Sequence, residues 1–407
     1  MKKDPVSPRE HWTWPIPTSH SQAVRCGDMI WVSGQVALSP RGQPVPDALS
    51  TQVSAAMANL GLVLSELECG LADVVKLLCF YVNDGLVDED KFLSLVAAHL
   101  PAEARPAVTA VPVSYLPFER ALVEIEAYAM PANLPRHHLT MGDFSPLPKA
   151  FSTVLRCGKM LFVSGQSPVT PDGRLLDAGD IIAQTRQVMR QVGAALSHFG
   201  AGFADVVKIN RWYVGQGRTE DFEPAALACA ANFQEPGPAA TGIPIPHHAL
   251  AGQQIKIEVV AMLGEDGSHL PRRNVWPDSL WDWTVDIPYW HGLKCHDMIF
   301  LGGQVSLDAK GRAVNPFDMR AQTAQAMVHI GSILRELGAG YRDICKLTTM
   351  YAGPAGPKAL AENMAIRQSF FDAPGPATTD ISLSVLAYPG MIIEIDAFAM
   401  AEPDTHA

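Results

Sequence analysis

The chain has 407 residues, of which 48% are hydrophobic and 18% charged, and its formal net charge is −11. That length suits two or three globular domains. The acidic balance argues against nucleic acid as a partner, since a nucleic-acid groove needs a basic patch, and no apolar run approaches the roughly 18 residues of a membrane span.

At the N-terminus, MKKDPVSPREHW carries two lysines with no apolar stretch behind them, so no secretory signal is expected. The seven cysteines are odd in number and lack paired spacing. Reduced thiols and a cytoplasmic location are therefore expected.

The chain says nearly the same thing three times. MIWVSGQ at 29–35 returns as MLFVSGQ at 160–166 and as MIFLGGQ at 298–304. A helix-like stretch opens near Gln52, Gln184 and Gln322, and a strand opens near Lys76, Lys208 and Lys346, 24 residues after the glutamine in every copy. The last echo is VEIEAYAM at 123–130, IEVVAML at 257–263 and IEIDAFAM at 393–400. A period of about 135 residues is too long for a solenoid, whose repeats run to roughly 50. It predicts three tandem domains, over 8–133, 138–265 and 276–402.

Repeat 2 shows the expected elements in order. VLRCGKMLFVSGQ reads as a hairpin turning at Cys157-Gly158-Lys159. Residues 181–199 set Val188, Val192, Ala195, Leu196 and Phe199 at helical spacing, ended by Gly200 and Gly202. A strand over 206–214, a helix over 221–234 and closing strands over 241–246 and 254–263 complete the unit. Repeats 1 and 3 follow the same plan, with helix stripes Val53, Met57, Leu60, Leu64, Leu67 and Met327, Ile330, Leu334, Leu337. The predicted class is α+β, each domain β-β-α-β-α-β-β with its helices on one sheet face. The uncovered faces call for burial against each other, which predicts an intramolecular pseudo-trimer with three inter-domain clefts, the usual place for a small ligand.

Hairpin, V-S-G-Q, amphipathic helix, D-V-V-K strand and E-I-E-A closing strand together resemble the RidA/YjgF family of enamine/imine deaminases, three copies in one chain. The resemblance implies RidA-like (chorismate-mutase-like) domains and ligand pockets at domain interfaces. It also implies a set of working residues. Glu124, Glu258 and Glu394 stand for the closing-strand glutamate that positions water. Ser33 and Ser164 stand for the S-G-Q serine, which is Gly302 in repeat 3. The family's Pro-Tyr survives as Pro288-Tyr289, where repeats 1 and 2 have His20 and Phe151. The arginine that clamps the substrate carboxylate is replaced by Val108, Ala240 and Thr378, and Arg105 lies three positions too early. A cysteine two residues beyond it becomes Ala110, Gly242 and Asp380. Thr378 and Asp380 would make the repeat-3 back wall polar and acidic.

Other residues read more blandly. Lys76, Lys208 and Lys346 could pair with serines, as in cyclic-amide hydrolases of three related domains, but are more simply solvated heads on apolar stems. Adjacent residues on a strand face opposite ways, so neither His137-His138 nor His247-His248 suggests a metal site, and no cofactor is expected. Cys26, Cys157 and Cys295 read as buried small residues. Trp276, Trp281, Trp283 and Trp290 anchor the linker before repeat 3 or wall a pocket beside Tyr289.

Two functions stay open: a hydrolase or deaminase acting on a small, uncharged or cationic imine, enamine or amide, since the usual carboxylate clamp is missing, and a non-catalytic small-molecule binder. Light scattering should return 43.9 kDa or a small multiple such as a dimer. An obligate trimer of chains would exclude intramolecular closure.

Overall fold

A computed structural model describes the chain apart from residues 10, 13, 15, 39–46, 143, 145, 279, 354–355 and 405–407. Repeat 1 comprises β1 (Lys3–Val6), β2 (Ala23–Cys26), β3 (Met29–Val36), α1 (Leu49–Ser65), β4 (Val74–Val82), α2 (Glu89–Ala97), β5 (Ala107–Val113) and β6 (Val123–Ala129). Repeat 2 comprises β7 (Arg136–Leu139), β8 (Val154–Cys157), β9 (Met160–Gln166), α3 (Ile181–Ser197), β10 (Val206–Val214), α4 (Thr219–Ala230), β11 (Ala239–Ile245) and β12 (Ile255–Met262). Repeat 3 comprises β13 (Arg272–Val275), β14 (Gly292–Cys295), β15 (Met298–Leu301), β16 (Gln304–Val305), α5 (Met319–Glu336), β17 (Ile344–Ala352), α6 (Pro357–Arg367), β18 (Ala377–Leu383) and β19 (Ile393–Met400).

Each repeat is one mixed sheet, ordered β1-β2-β3-β6-β4-β5 in the first and likewise in the others. The pairs β4–β5, β10–β11 and β17–β18 are parallel, and each is joined through a helix. The opening strand of each sheet is an addition to the expected β-β-α-β-α-β-β order. Its sequences KDPV, RHHL and RRNV carry no apolar alternation and become strands only by pairing with the hairpin beside them.

The repeated markers have local causes. Each hairpin turns on two residues, the first with positive φ: Gly27, Gly158 and His296 at 55°, 52° and 55°. The glutamine at each helix start reaches across to the loop before the closing strand. Gln52 donates to Arg120 O and accepts from Leu122 N, Gln184 does the same with Gly252 and Gln254, and Gln322 with Gly390 and Ile392. Asp73, Asp205 and Asp343 accept from Gly70, Gly202 and Gly340 N, fixing the turn that leads into the lysine strand. Val53, Met57, Leu60 and Leu64 of α1 are buried, as are their counterparts in α3 and α5.

The opposite sheet faces meet in the middle. Trp31, Phe162 and Phe300 with Tyr128, Val260 and Phe398 form one apolar cluster in which all three repeats take part. Tyr128 lies 5.6 Å from Phe398 and 6.5 Å from Phe162 between ring centroids. Around it the repeats close head to tail. The front hairpin of repeat 1 packs on β17 and β18 of repeat 3, that of repeat 2 on β4 and β5, and that of repeat 3 on β10 and β11.

At each junction a lysine crosses to a carboxylate of the next repeat. Lys76 Nζ is 2.8 Å from Glu258, Lys208 Nζ 2.7 Å from Asp396 and Lys346 Nζ 3.0 Å from Glu126. The expectation of solvated heads is therefore corrected, since these lysines are 4%, 1% and 0% exposed. They do not serve as partners of Ser33 or Ser164. Lys208 and Lys346 also donate to Leu301 O and Val32 O, backbone of the facing hairpin. Burial opposes both charges, lowering the pKa of Lys208 and raising that of Asp396, and the close contact offsets that penalty.

Breaking one such pair strands a buried charge, at about 3–5 kcal/mol. Lys346→Met should lower unfolding stability by that order in urea titrations, and Lys346→Met with Glu126→Leu should recover most of it. A single variant as stable as wild type would show that the pairs do not hold the junctions.

Candidate active site

Each cleft is built from the front hairpin and closing strand of one repeat and the β4/β5-type pair of the preceding one. Register decides which closing-strand residue enters it. Glu124 lies opposite Phe80, Lys256 opposite Trp212 and Glu394 opposite Met350, the same place in each sheet. Glu126, Glu258 and Asp396 lie two residues further on, opposite Leu78, Asn210 and Thr348, and are the carboxylates of the junction pairs. The grouping of Glu258 with Glu124 and Glu394 is thus corrected. Glu258 is held by Lys76, Thr109 and Asn210, and repeat 2 places a lysine at the cleft position.

The serines stitch the junctions. Ser33 Oγ donates to Ser21 O and accepts from Thr378 N (2.7 and 2.8 Å), and Ser164 Oγ does the same with Ser152 O and Val108 N (2.6 and 2.8 Å). At Gly302 the strands approach more closely, and an added Cβ would lie 2.8 Å from Ala240 O. Glycine at this position is a packing requirement.

In the repeat 1/2 cleft, Lys256 Nζ contacts Glu89 (2.6 Å) and Ala110 O (2.8 Å), below a cavity of about 450 Å³ that Glu89, Gly165 and Gln253 help to line. Phe151 is buried in the repeat-1 core.

In the repeat 3/1 cleft, Arg367 enters from the end of α6. It donates to Thr378 Oγ1 (2.9 Å) and to Asp380, while its Nε bonds Asn363 (3.0 Å). Asp380 therefore faces a cation of its own repeat. Burial and this guanidinium hold His20 neutral, with its pKa down to about 3. Burial and Asp380 push Glu124 well above the ordinary carboxylate range.

The repeat 2/3 cleft contains Tyr289. Arg211, from β10, sits with its guanidinium carbon 5.2 Å from the ring centroids of both Tyr289 and Phe222. Its Nε and Nη2, the Tyr289 hydroxyl and the Tyr213 hydroxyl are all buried without a hydrogen-bond partner. Gly242 makes room for it, since a Cβ there would lie 3.1 Å from Nη2. Glu394 packs over Gly303, where a Cβ would collide with its carboxyl. Burial and Asp396 raise Glu394 to about 8, with Lys208 and Arg211 opposing, so it carries a proton at neutral pH. Trp283 stacks on Phe222 and donates to Tyr289 O (3.3 Å), closing the cleft on the linker side. Tyr289 thus shares its cleft with the glutamate of its own repeat. The neighbouring repeat supplies the back wall.

The family now follows from more than the markers. Residues 15–131, 145–263 and 284–401 each match the family described as Endoribonuclease L-PSP. The chain belongs to this family. A RutC family protein from Pyrococcus abyssi is 35% identical over 111 residues, 27% of this chain and 84% of that protein. A rat 2-iminobutanoate/2-iminopropanoate deaminase is 33% identical over 115 residues, 28% of this chain and 80% of its own length. Each relative is thus the size of about one repeat, and the RidA resemblance holds for three tandem copies. A solved chorismatase structure aligns over 81% of this chain and 93% of its own at a TM-score of 0.50; at 14% identity it shares the fold alone. Among the described residues no helix is long and apolar enough to cross a membrane.

The arginine that the RidA resemblance implies is absent at Val108, Ala240 and Thr378. It does not follow that the clefts lack guanidinium groups, because Arg211 and Arg367 reach two of them from other elements. One sequence signal was available. Arg211 falls where the other repeats carry Cys79 and Thr349, three residues past the strand lysine.

Glu394, raised in the folded chain, stays protonated there while the unfolded chain ionises near its ordinary value. Its contribution to stability is complete below that value and is lost as pH rises through about 8. Wild type should therefore lose stability relative to Glu394→Gln by on the order of 1 kcal/mol per pH unit between about pH 5 and 8. Urea midpoints of both proteins across that range test it, and parallel profiles would refute a protonated Glu394.

Proposed function

We propose that this protein is an imine or enamine deaminase whose working cleft lies between repeats 2 and 3. The observation that carries the reading is Arg211, a buried guanidinium with two unpartnered nitrogens beside the Glu394 carboxyl. A buried charged donor without a partner is costly in an empty site and is satisfied by an anionic ligand. The substrate class is therefore a small imine bearing a carboxylate, the class named by the deaminase relatives. The carboxylate clamp, absent at its usual place in the sequence, is supplied from β10, and a carboxylate-bearing substrate replaces the uncharged or cationic one expected from the sequence.

Hydrolysis then needs water at the imine carbon and a group to move protons. An iminium cation in the cleft favours the ionised form of Glu394. That carboxylate accepts a proton from water as the oxygen adds to the carbon and passes it to nitrogen; as ammonia leaves, the carbinolamine hydroxyl gives its proton back to the carboxylate, leaving a carbonyl and a protonated Glu394. The phenols of Tyr289 and Tyr213 orient the substrate. The aromatic walls keep bulk water out and strengthen each polar contact.

A second reading, non-catalytic binding in the same cleft, is favoured by its closure, with Arg211 1% and Tyr289 0% exposed. The two separate in one experiment. 2-Iminobutanoate generated by an amino-acid oxidase, with semicarbazide as trap, should be consumed faster in the presence of the protein. Arg211→Met should reduce that rate about 30-fold, the scale of one lost charged hydrogen bond of about 2 kcal/mol. Tyr289→Phe should reduce it by about 1–2 kcal/mol in barrier terms, while Phe151→Ala leaves the chemistry of this cleft unaffected. If wild type gives no acceleration but 2-oxobutanoate raises its melting temperature in an Arg211-dependent way, the binding reading holds. If Arg211→Met turns over normally, the working cleft is another one.

A further inference from the structure

Away from the clefts, at the outer end of the junction between repeats 1 and 2, lies a cavity of about 710 Å³ walled by three arginines, three histidines and Phe199. Arg105 comes from repeat 1, just before β5. Arg136, His137 and His138 come from β7, Arg156 from β8, and His198 caps the end of α3 next to Phe199. In a chain of net charge −11 such a concentration needs a cause. Arg105 and Arg136 each keep a buried Nε with no hydrogen-bond partner. Among the described residues, the carboxylate paired with this set is Asp73, 3.7 Å from Arg136. The field is felt locally: burial and then Arg105, Arg136 and His137 all press the pKa of His138 down, and only its hydrogen bond to Arg105 O opposes them.

The other two junctions serve as internal controls, because strand register gives the equivalent residues. Arg136, His137 and His138 correspond to Arg272, Arg273 and Asn274 in repeat 3 and to Lys3, Asp4 and Pro5 in repeat 1. Arg156 corresponds to Lys294 and Arg25 by the same hairpin register. The residue after Leu196 and Ser197 is His198; the matching positions after Leu64 and Leu334 are Glu66 and Glu336. In repeat 3, Asp404 pairs with both Lys294 (2.7 Å) and Arg273 (3.3 Å). What sets this junction apart is Arg105, where the others have Gly237 and Gly375, and His198, where they have Glu66 and Glu336. The positions of Arg136 and Arg156 thus keep a basic residue in every repeat, but the fold does not require Arg105 or His198, since it stands without them twice in the same chain.

We propose that this cavity is an anion site for a phosphoryl group, presented by a small phosphorylated molecule. Arg136 and Arg156 spend part of their donors on backbone carbonyls, and with Arg105 they line one cavity from two repeats, which suits a multiply charged oxyanion better than a single carboxylate. A cavity of this size exceeds what a bare phosphate fills. Phe199, 5.4 Å from His198 between ring centroids, gives the remainder of the ligand an apolar face. Occupancy ties Arg105 of repeat 1 to repeat 2.

Isothermal titration calorimetry of the full chain with inorganic phosphate and, separately, with ADP tests the assignment. Binding of ADP tighter than phosphate is expected, and Arg105→Gln should weaken it at least about tenfold. His198→Glu, which installs the residue of the other junctions on an exposed helix end, should weaken it similarly and does not depend on a buried side chain. Arg190→Gln, an exposed arginine elsewhere on α3, should leave binding unchanged. Binding of phosphate alone with the same dependence on Arg105 and His198 keeps the anion site and assigns it to the free ion. The proposal fails if neither probe binds at millimolar concentration, if binding survives both Arg105→Gln and His198→Glu, or if Arg190→Gln weakens it as much.

Discussion

Three buried lysine–carboxylate pairs hold this molecule in its ring. Each lysine leaves the strand of one repeat and meets an acid of the next, so that Lys76–Glu258, Lys208–Asp396 and Lys346–Glu126 close a cycle. An apolar axis of Trp31, Phe162, Phe300 and their neighbours supplies burial without direction. The ion pairs supply direction, because a charge this deep accepts only one register against its partner. With Ser33 and Ser164 tied to the backbone of the facing strand, they set how far apart the walls of each cleft stand.

Within that common frame the clefts have diverged by substitution of single side chains. One has a lysine where the others have an acid and neutralises it with Glu89. One pairs Arg367 with Asp380 and keeps a neutral histidine beside them. One leaves Arg211 unpartnered between two aromatic rings, beside a protonated glutamate. A homotrimer has to repeat any change three times, whereas a fused chain can alter one cleft alone. The small residues Gly242 and Gly302 record that freedom: one admits a guanidinium, and the other lets two backbones approach. The outer ends of the junctions diverge in the same manner, His198 standing where the other repeats have glutamates.

The sequence by itself determined the triplication, the order of its main elements and the family, because these rest on local features: hairpin turns, helical stripes, a glutamine that clamps its own repeat and an aspartate that fixes its own turn. It also pointed to Tyr289 and Glu394, which the fold brings to one cleft. It did not reveal the opening strands, whose residues are polar and become β-structure only through the hairpin beside them. Nor did it separate Lys256 from Glu258, since two residues on the same face of a strand look alike until a partner strand fixes the register. The ring lysines read as ordinary surface residues because their counter-charges lie in another repeat, 182, 188 and 220 positions away along the chain. Arg211 and Arg367 were missed for the same reason. Which cleft a side chain enters depends on the packing of whole repeats, and only the tertiary structure brings those distant residues together.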